Sequence, residues 1–128
     1  MKQMSAADPT KKISFHDSSL AELSTQGDHI RLQVEDVWID NDNCNDNCYD
    51  ALIDLSGVRR IVRDGEVVNT VGMEAEDARV LALEWSDPSL RLVVTWISHS
   101  THTDETRDYT FDYTALVLKV GKQESRPD

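Results

Sequence analysis

Ile30-Arg31-Leu32-Gln33-Val34 decides the fold class: apolar Ile30, Leu32 and Val34 alternate with polar Arg31, Gln33 and Glu35. A period of two puts alternate side chains on opposite faces of a β-strand, one face buried and one wet. The apolar phase then moves to Val37 and Ile39, and this one-residue slip predicts a β-bulge near Glu35-Asp36. Tyr109, Phe111 and Tyr113 alternate with Asp108, Thr110 and Asp112 in the same way, and that phase slips to Leu116, Leu118 and Val120. Long strands with such slips bend around the end of a sandwich or barrel.

Residues 80–85 and 90–97 are apolar in both phases and read as central strands, joined by a tight turn at Asp87-Pro88-Ser89. Here Trp85 shares a core phase with Leu81 and Leu83, and Trp96 with Leu92 and Val94. Residues 51–55 and 58–62 read as strands on either side of Ser56-Gly57, and Asp64-Gly65 turns a hairpin into residues 66–71. Ser19 and Glu22 have capping-box spacing, but Gly27 follows too soon for a good helix. Residues 19–25 are therefore expected as a strand, with a single helical turn at 74–78. The expectation is an all-β fold, an antiparallel β-sandwich or partly open barrel of about eight strands with little helix. No sequence period supports an internal repeat. Residues 1–11 read as a loose arm, 12–120 as one β domain and 121–128 as a frayed tail.

A chain of 128 residues fits one domain, and 39% hydrophobic with 29% charged residues is a globular mixture. A core of that size folds without help from a disulfide or a metal. The net charge of −11 opposes nucleic-acid binding, which needs clustered Lys and Arg, and opposes docking on anionic membranes. It suits a basic protein partner or divalent cations, and it also serves plain solubility. No apolar run approaches the roughly 20 residues of a membrane span. The first twelve residues lack the apolar core of a signal peptide, so a cytoplasmic location is expected. Cys44 and Cys48 would then be reduced thiols, with a disulfide as the alternative in an oxidising compartment.

The chemistry concentrates in residues 40–50, Asp-Asn-Asp-Asn-Cys-Asn-Asp-Asn-Cys-Tyr-Asp. Between Leu32 and Val58 there is no Lys or Arg, while Glu35, Asp36, Asp40, Asp42, Asp46, Asp50 and Asp54 are carboxylates. Asp40 and Asp42 begin like an EF-hand, but Cys44 holds the third ligand position, Asn45 replaces the turn glycine and Ala51 the bidentate Glu. An EF-hand is rejected; an irregular Ca²⁺ site is one alternative, a solvated Asn/Asp loop the other. Two thiolates do not complete a zinc site. His99, Ser100, His102 and Asp104 offer a weak metal or nucleophile arrangement, and His16 beside Asp17 a general base. The simpler reading makes the first group a hairpin tip and the second a strand-edge turn. Trp38 is out of phase with Val37 and Ile39, which makes it a candidate contact anchor. The glycines are scattered and form no phosphate-binding loop. No cofactor, metal or catalytic residue is expected.

The opening Ile13-Ser14-Phe15-His16-Asp17-Ser18-Ser19-Leu20, with Gly27-Asp28 and the alternating Ile30–Val34 strand, resembles a diffuse set of small bacterial β-rich proteins. Some of these are immunity proteins of contact-dependent or secreted toxin systems. The resemblance covers about the first quarter of the chain and implies a non-catalytic binding domain with an acidic face. It carries over no catalytic residue. The expectation is therefore a non-catalytic acidic module of immunity type for a basic protein partner, contacting it through Trp38, Asp40, Asp42, Asp46 and Asp50. A Ca²⁺-binding sandwich and a small enzyme using His16 or His99/His102 are the alternatives.

Overall fold

The computed structural model describes residues 2–4, 13–15, 17–39 and 49–122. These form β1 (Lys2–Met4), β2 (Ile13–Ser14), β3 (Ser19–Gln26), β4 (His29–Ile39), β5 (Tyr49–Ser56), β6 (Arg60–Arg63), β7 (Glu66–Val68), β8 (Asp77–Ser86), β9 (Ser89–Ser98), β10 (Thr103–Asp112) and β11 (Ala115–Lys122), with no helix among the described residues. Each strand runs antiparallel to its neighbours, in the order β1-β11-β5-β4-β3-β8-β9-β10-β6-β7. β2 pairs with the far end of β4. The expected all-β antiparallel class is the class found. The sheet does not close into a barrel: β1 and β7 are its two ends.

A single residue pair, Ser19 with Arg79, joins β3 to β8. The Asp17 N–H donates to the Val80 carbonyl at 2.9 Å, and the Val80 N–H to the Ser18 carbonyl at 2.8 Å. This narrow junction divides the sheet into a first half (β1, β11, β5, β4, β3) and a second half (β8, β9, β10, β6, β7). Their inward side chains form one core: Leu32, Val34, Ile53 and Leu55 from the first, Leu92, Val94, Tyr109 and Phe111 from the second, all at 0% exposure. Burial of a Leu, Val or Phe side chain contributes about 1.5–3 kcal/mol.

The expected bulge lies between Val34 and Val37, where Asp36 has φ 62°. Several expectations need correction. Residues 74–78 make no helical turn. Residues 69–76 have no regular element, and β8 starts at Asp77. The segment is held from outside itself: the Val71 N–H donates to Thr25 Oγ1 at 2.9 Å, and that hydroxyl donates to the Val71 carbonyl at 2.8 Å. Val71 and Ala75 pack against the core. Leu81 leaves the core phase because the β8–β9 register shifts between Val80 and Ala82; it is 37% exposed. The apolar run beyond Tyr113 is a second strand, β11, which crosses to the other half of the sheet beside β5. Within the segment expected as a loose arm, Lys2–Met4 forms β1 and pairs with β11; Gly121 and Lys122 belong to β11 itself.

An internal two-fold repeat, invisible as a sequence period, organises the fold. The meanders β3-β4-β5 and β8-β9-β10 lie side by side in opposite order, and the strand that follows each one, β6 or β11, pairs with the last strand of the other. The registers agree residue by residue. Leu20–Val34, Leu23–Leu32, Ser24–Arg31 and Thr25–Ile30 pair in β3–β4, and Val80–Val94, Leu83–Leu92, Glu84–Arg91 and Trp85–Leu90 in β8–β9. Both hairpins carry their register shift at the same place, after Leu20 and after Val80. The chain also leaves each three-strand meander in the same way: the Val58 N–H donates to the Asp28 carbonyl and the Tyr113 N–H to the Pro88 carbonyl, both at 2.9 Å. Ser19 and Arg79, the joining pair, are themselves equivalent positions on either side of the pseudo-axis.

Candidate functional site: the outer faces and their polar clusters

Alternation sends Glu22, Arg31, Gln33, Glu35, Asp50, Asp54 and Lys119 to the outer face of the first half-sheet. An open polar groove of about 380 Å³ crosses it, lined by Glu22, Ser24, Gln26, His29, Arg31 and Asp54. Arg31 Nε donates to Asp54 Oδ1 at 3.0 Å, and Ser24 Oγ to Glu22 Oε2 at 3.1 Å. The hydrogen bond to Asp54 raises the Arg31 pKa further above neutrality.

The repeat allows the two outer faces to be compared position by position. Glu22, Gln33, Glu35, Asp50 and Asp54 of the first correspond to Ala82, Val93, Thr95, Thr106 and Thr110 of the second. The exchange runs the other way at Ser19, Ser24 and Leu52, whose counterparts are Arg79, Glu84 and Asp108; Asp108 Oδ2 is ion-paired to Arg91 Nη2 at 2.8 Å. One backbone arrangement thus carries two outer faces with differently placed charges: carboxylates at Glu22, Glu35, Asp50 and Asp54 on the first, and Arg79, Glu84, Arg91 and Asp108 among threonines on the second. Thr95 and Thr106 share a hydroxyl hydrogen bond of 3.0 Å on the second face.

Among the expected contact residues, Asp50 lies on β5 in the outward phase, opposite Gly121 and beside the β4 bulge. Trp38 lies on β4, paired with Ser14 of β2. Asp40, Asp42 and Asp46 lie outside the described residues, as do Cys44, Cys48 and His16. The connection between β4 and β5 that carries the acidic run is the counterpart of the short β9–β10 turn. At that turn His99 pairs not with His102 but with Asp77 of β8, Nε2 to Oδ2 at 2.5 Å. His102 stands at φ 54° in the turn. Among the described residues no three His, Cys, Asp or Glu side chains are grouped to hold a metal ion.

The hydrogen bond to Asp77 raises the His99 pKa. Because the folded pKa is the higher one, the pair contributes stability below the ordinary histidine range and loses it as the pH rises through the shifted midpoint. An NMR titration is expected to place the His99 midpoint above that of a free histidine, and Asp77→Asn to bring it down. An unchanged midpoint in that variant would exclude the pairing in solution.

Sequence reading missed one cluster altogether. Arg63 Nη2 and Nε reach Glu74 Oε1 and Oε2 at 2.7 and 2.9 Å. The Tyr109 hydroxyl donates to the same carboxylate and accepts from Trp96 Nε1 at 3.0 Å. Arg107 Nη1 donates to Asp64 Oδ2 at 2.9 Å, and its Nη2 donates to Glu105. The Arg63 hydrogen bond holds the Glu74 carboxyl below its usual range, and burial pushes the Tyr109 phenol up to about 12. A signal was present: Arg63 is in phase with Ile61, and Arg107 with Tyr109, so both cations stand on the inward phase and require carboxylate partners. Glu74, the partner, comes from the irregular 69–76 segment, where no periodicity points to it. These contacts fasten that segment over the end of the core.

No family model, curated protein or solved structure matches the chain. No helix among the described residues is long and apolar enough to cross a membrane.

Proposed function

We propose that the chain is a non-catalytic binding module that takes a basic protein partner on its acidic side, in the manner of an immunity-type inhibitor. The observation that carries this reading is the outer face of the first half-sheet, where, among the described residues, Glu22, Glu35, Asp50 and Asp54 stand against Arg31 and Lys119. That face adjoins the β4–β5 connection, whose sequence adds Asp40, Asp42 and Asp46. Like charges gathered on one side produce a long-range field that steers an oppositely charged protein, and aromatic anchors such as Trp38 then supply contact energy. A cytoplasmic location accords with this reading.

Affinity capture with the wild-type chain and with an E35Q/D50N/D54N variant tests it. The wild type should retain a basic protein that the variant loses. The association rate should fall about tenfold or more from low to high salt, since steering is screened within about 10 Å at 0.1 M salt. An association rate indifferent to salt would overturn the steering mechanism.

A further inference from the structure

We propose that the open edge of β7 is a strand-addition site for an extended acidic peptide, selected by two arginines at the start of β6 that have no ion pair. The site uses none of the carboxylates of the acidic face and is independent of the reading above. β7 ends the strand order, so one of its sides has no strand neighbour. The two-residue turn Asp64-Gly65 decides what that side presents. Across it Arg63 pairs with Glu66, Val62 with Val67 and Ile61 with Val68. A hairpin with a two-residue turn closes on a hydrogen-bonded pair, and bonded and non-bonded pairs alternate along the ladder. Arg63–Glu66 and Ile61–Val68 are therefore the bonded pairs. The Asp64 N–H agrees with this alternation, since it turns the other way, to the Asp108 carbonyl at 2.8 Å. The N–H and C=O of Val67 then point to the open side, where an edge is a template for one more strand. The Val67 side chain is 63% exposed, the most of the exposed large hydrophobic residues described.

Val67, from the outward phase, and Val68, from the inward phase, both line a groove of about 150 Å³, so the groove follows the edge of the strand rather than one face. That volume lies below the roughly 300–1,000 Å³ of sites for drug-sized molecules and suits one side chain of a longer segment. Strand addition has this form: backbone bonds supply affinity, and pockets for alternate side chains supply specificity. Charge identifies the segment. Arg31, Arg63, Arg91 and Arg107 each hold a carboxylate. Arg59 and Arg60, both exposed and both lining the groove, hold none among the described residues. No carboxylate, Glu66 included, lines the groove among the described residues. Asp112, opposite Arg60 in the β10–β6 ladder, accepts from Ser89 Oγ on its other side at 3.0 Å. The Asp28 carboxylate lies 3.3 Å from His29 Nε2. In a chain of net charge −11, this edge is thus a place where cations await carboxylates. Repulsion from carboxylates farther off than about 8 Å is screened at 0.15 M salt.

The test is an NMR titration of the full chain, at that salt, with a capped hexapeptide of alternating glutamate and valine. Saturable shifts are expected at the Val67 and Asn69 amides. The same peptide with lysine in place of glutamate should bind about tenfold or more weakly, as should the acidic peptide to an R59E/R60E variant. Val67→Pro removes the outward N–H without taking a bond from β6, because proline is tolerated on the open side of an edge strand, and it should weaken binding to a similar degree. A hexapeptide N-methylated at alternate residues cannot complete the ladder and should also bind about tenfold more weakly; it serves if Val67→Pro fails to fold. Absence of saturable binding up to near-millimolar peptide overturns the inference. So does equal binding of the lysine peptide or of the N-methylated peptide. Shifts produced by tripolyphosphate but not by the acidic peptide would assign the arginines to a phosphate ligand and overturn it as well.

Discussion

Gly57→Ala is expected to lower stability by about 2–4 kcal/mol, far more than the same change at Gly27. Both glycines have left-handed backbone, φ 62° and 61°. An alanine there costs about 1–2 kcal/mol for its backbone alone. At Gly27 a Cβ would meet nothing within 4 Å, so the cost ends there. At Gly57 it would fall on Thr114 Oγ1 and lie 2.6 Å from Thr114 Cβ. Thr114 cannot easily withdraw. Its N–H donates to the Ser56 carbonyl at 2.9 Å and its hydroxyl to the Gly57 carbonyl at 3.1 Å, where the chain enters β11. Urea unfolding of the two variants checks the difference. Thr114→Gly in the Gly57→Ala background should recover the overlap part of the loss. Equal losses at Gly27 and Gly57 would show that the crossing is looser than described.

Leu32→Ala and Leu92→Ala are expected to cost about 2–5 kcal/mol each, and to agree within about 1 kcal/mol. Both leucines have 0% exposure, and each occupies the same register position in its own hairpin, opposite Leu23 and Leu83 respectively. The cost of such a truncation depends on how far its surroundings collapse into the cavity, so equivalent surroundings should respond alike. Both variants should still unfold in one transition, because the two half-sheets share a single core. Against a typical total of about 5–15 kcal/mol, either change leaves a marginal protein. Widely different losses, or two separate transitions, would refute the equivalence of the halves.

What the sequence made legible follows from distance along the chain. Alternation at Ile30–Val34 and at Tyr109–Phe111, the bulge at Asp36 and the turn at Asp64-Gly65 are local, and each was readable. The two-fold repeat was not readable, because it lies in pairing geometry rather than in residue identity: Gln33 and Val93, or Asp54 and Thr110, occupy equivalent places with unlike side chains. Leu81 misled because a bulge turned it outward. Glu74 was missed because its partners, Arg63 and Tyr109, lie 11 and 35 positions away. Of the candidate contact residues, Asp50 is placed by simple alternation on β5. The neighbouring acidic run has no period from which a placement follows.

The interleaving of the two repeats bears on how the chain is made. β5 finds one of its neighbours only in β11, and β6 finds one of its neighbours only in β10. While a ribosome is still extending the chain, the amino-terminal repeat therefore emerges with unfilled strand edges and an uncovered apolar side. Complete native pairing must await the emergence of β11, so folding is dominated by distant contacts and slow for a chain of this length.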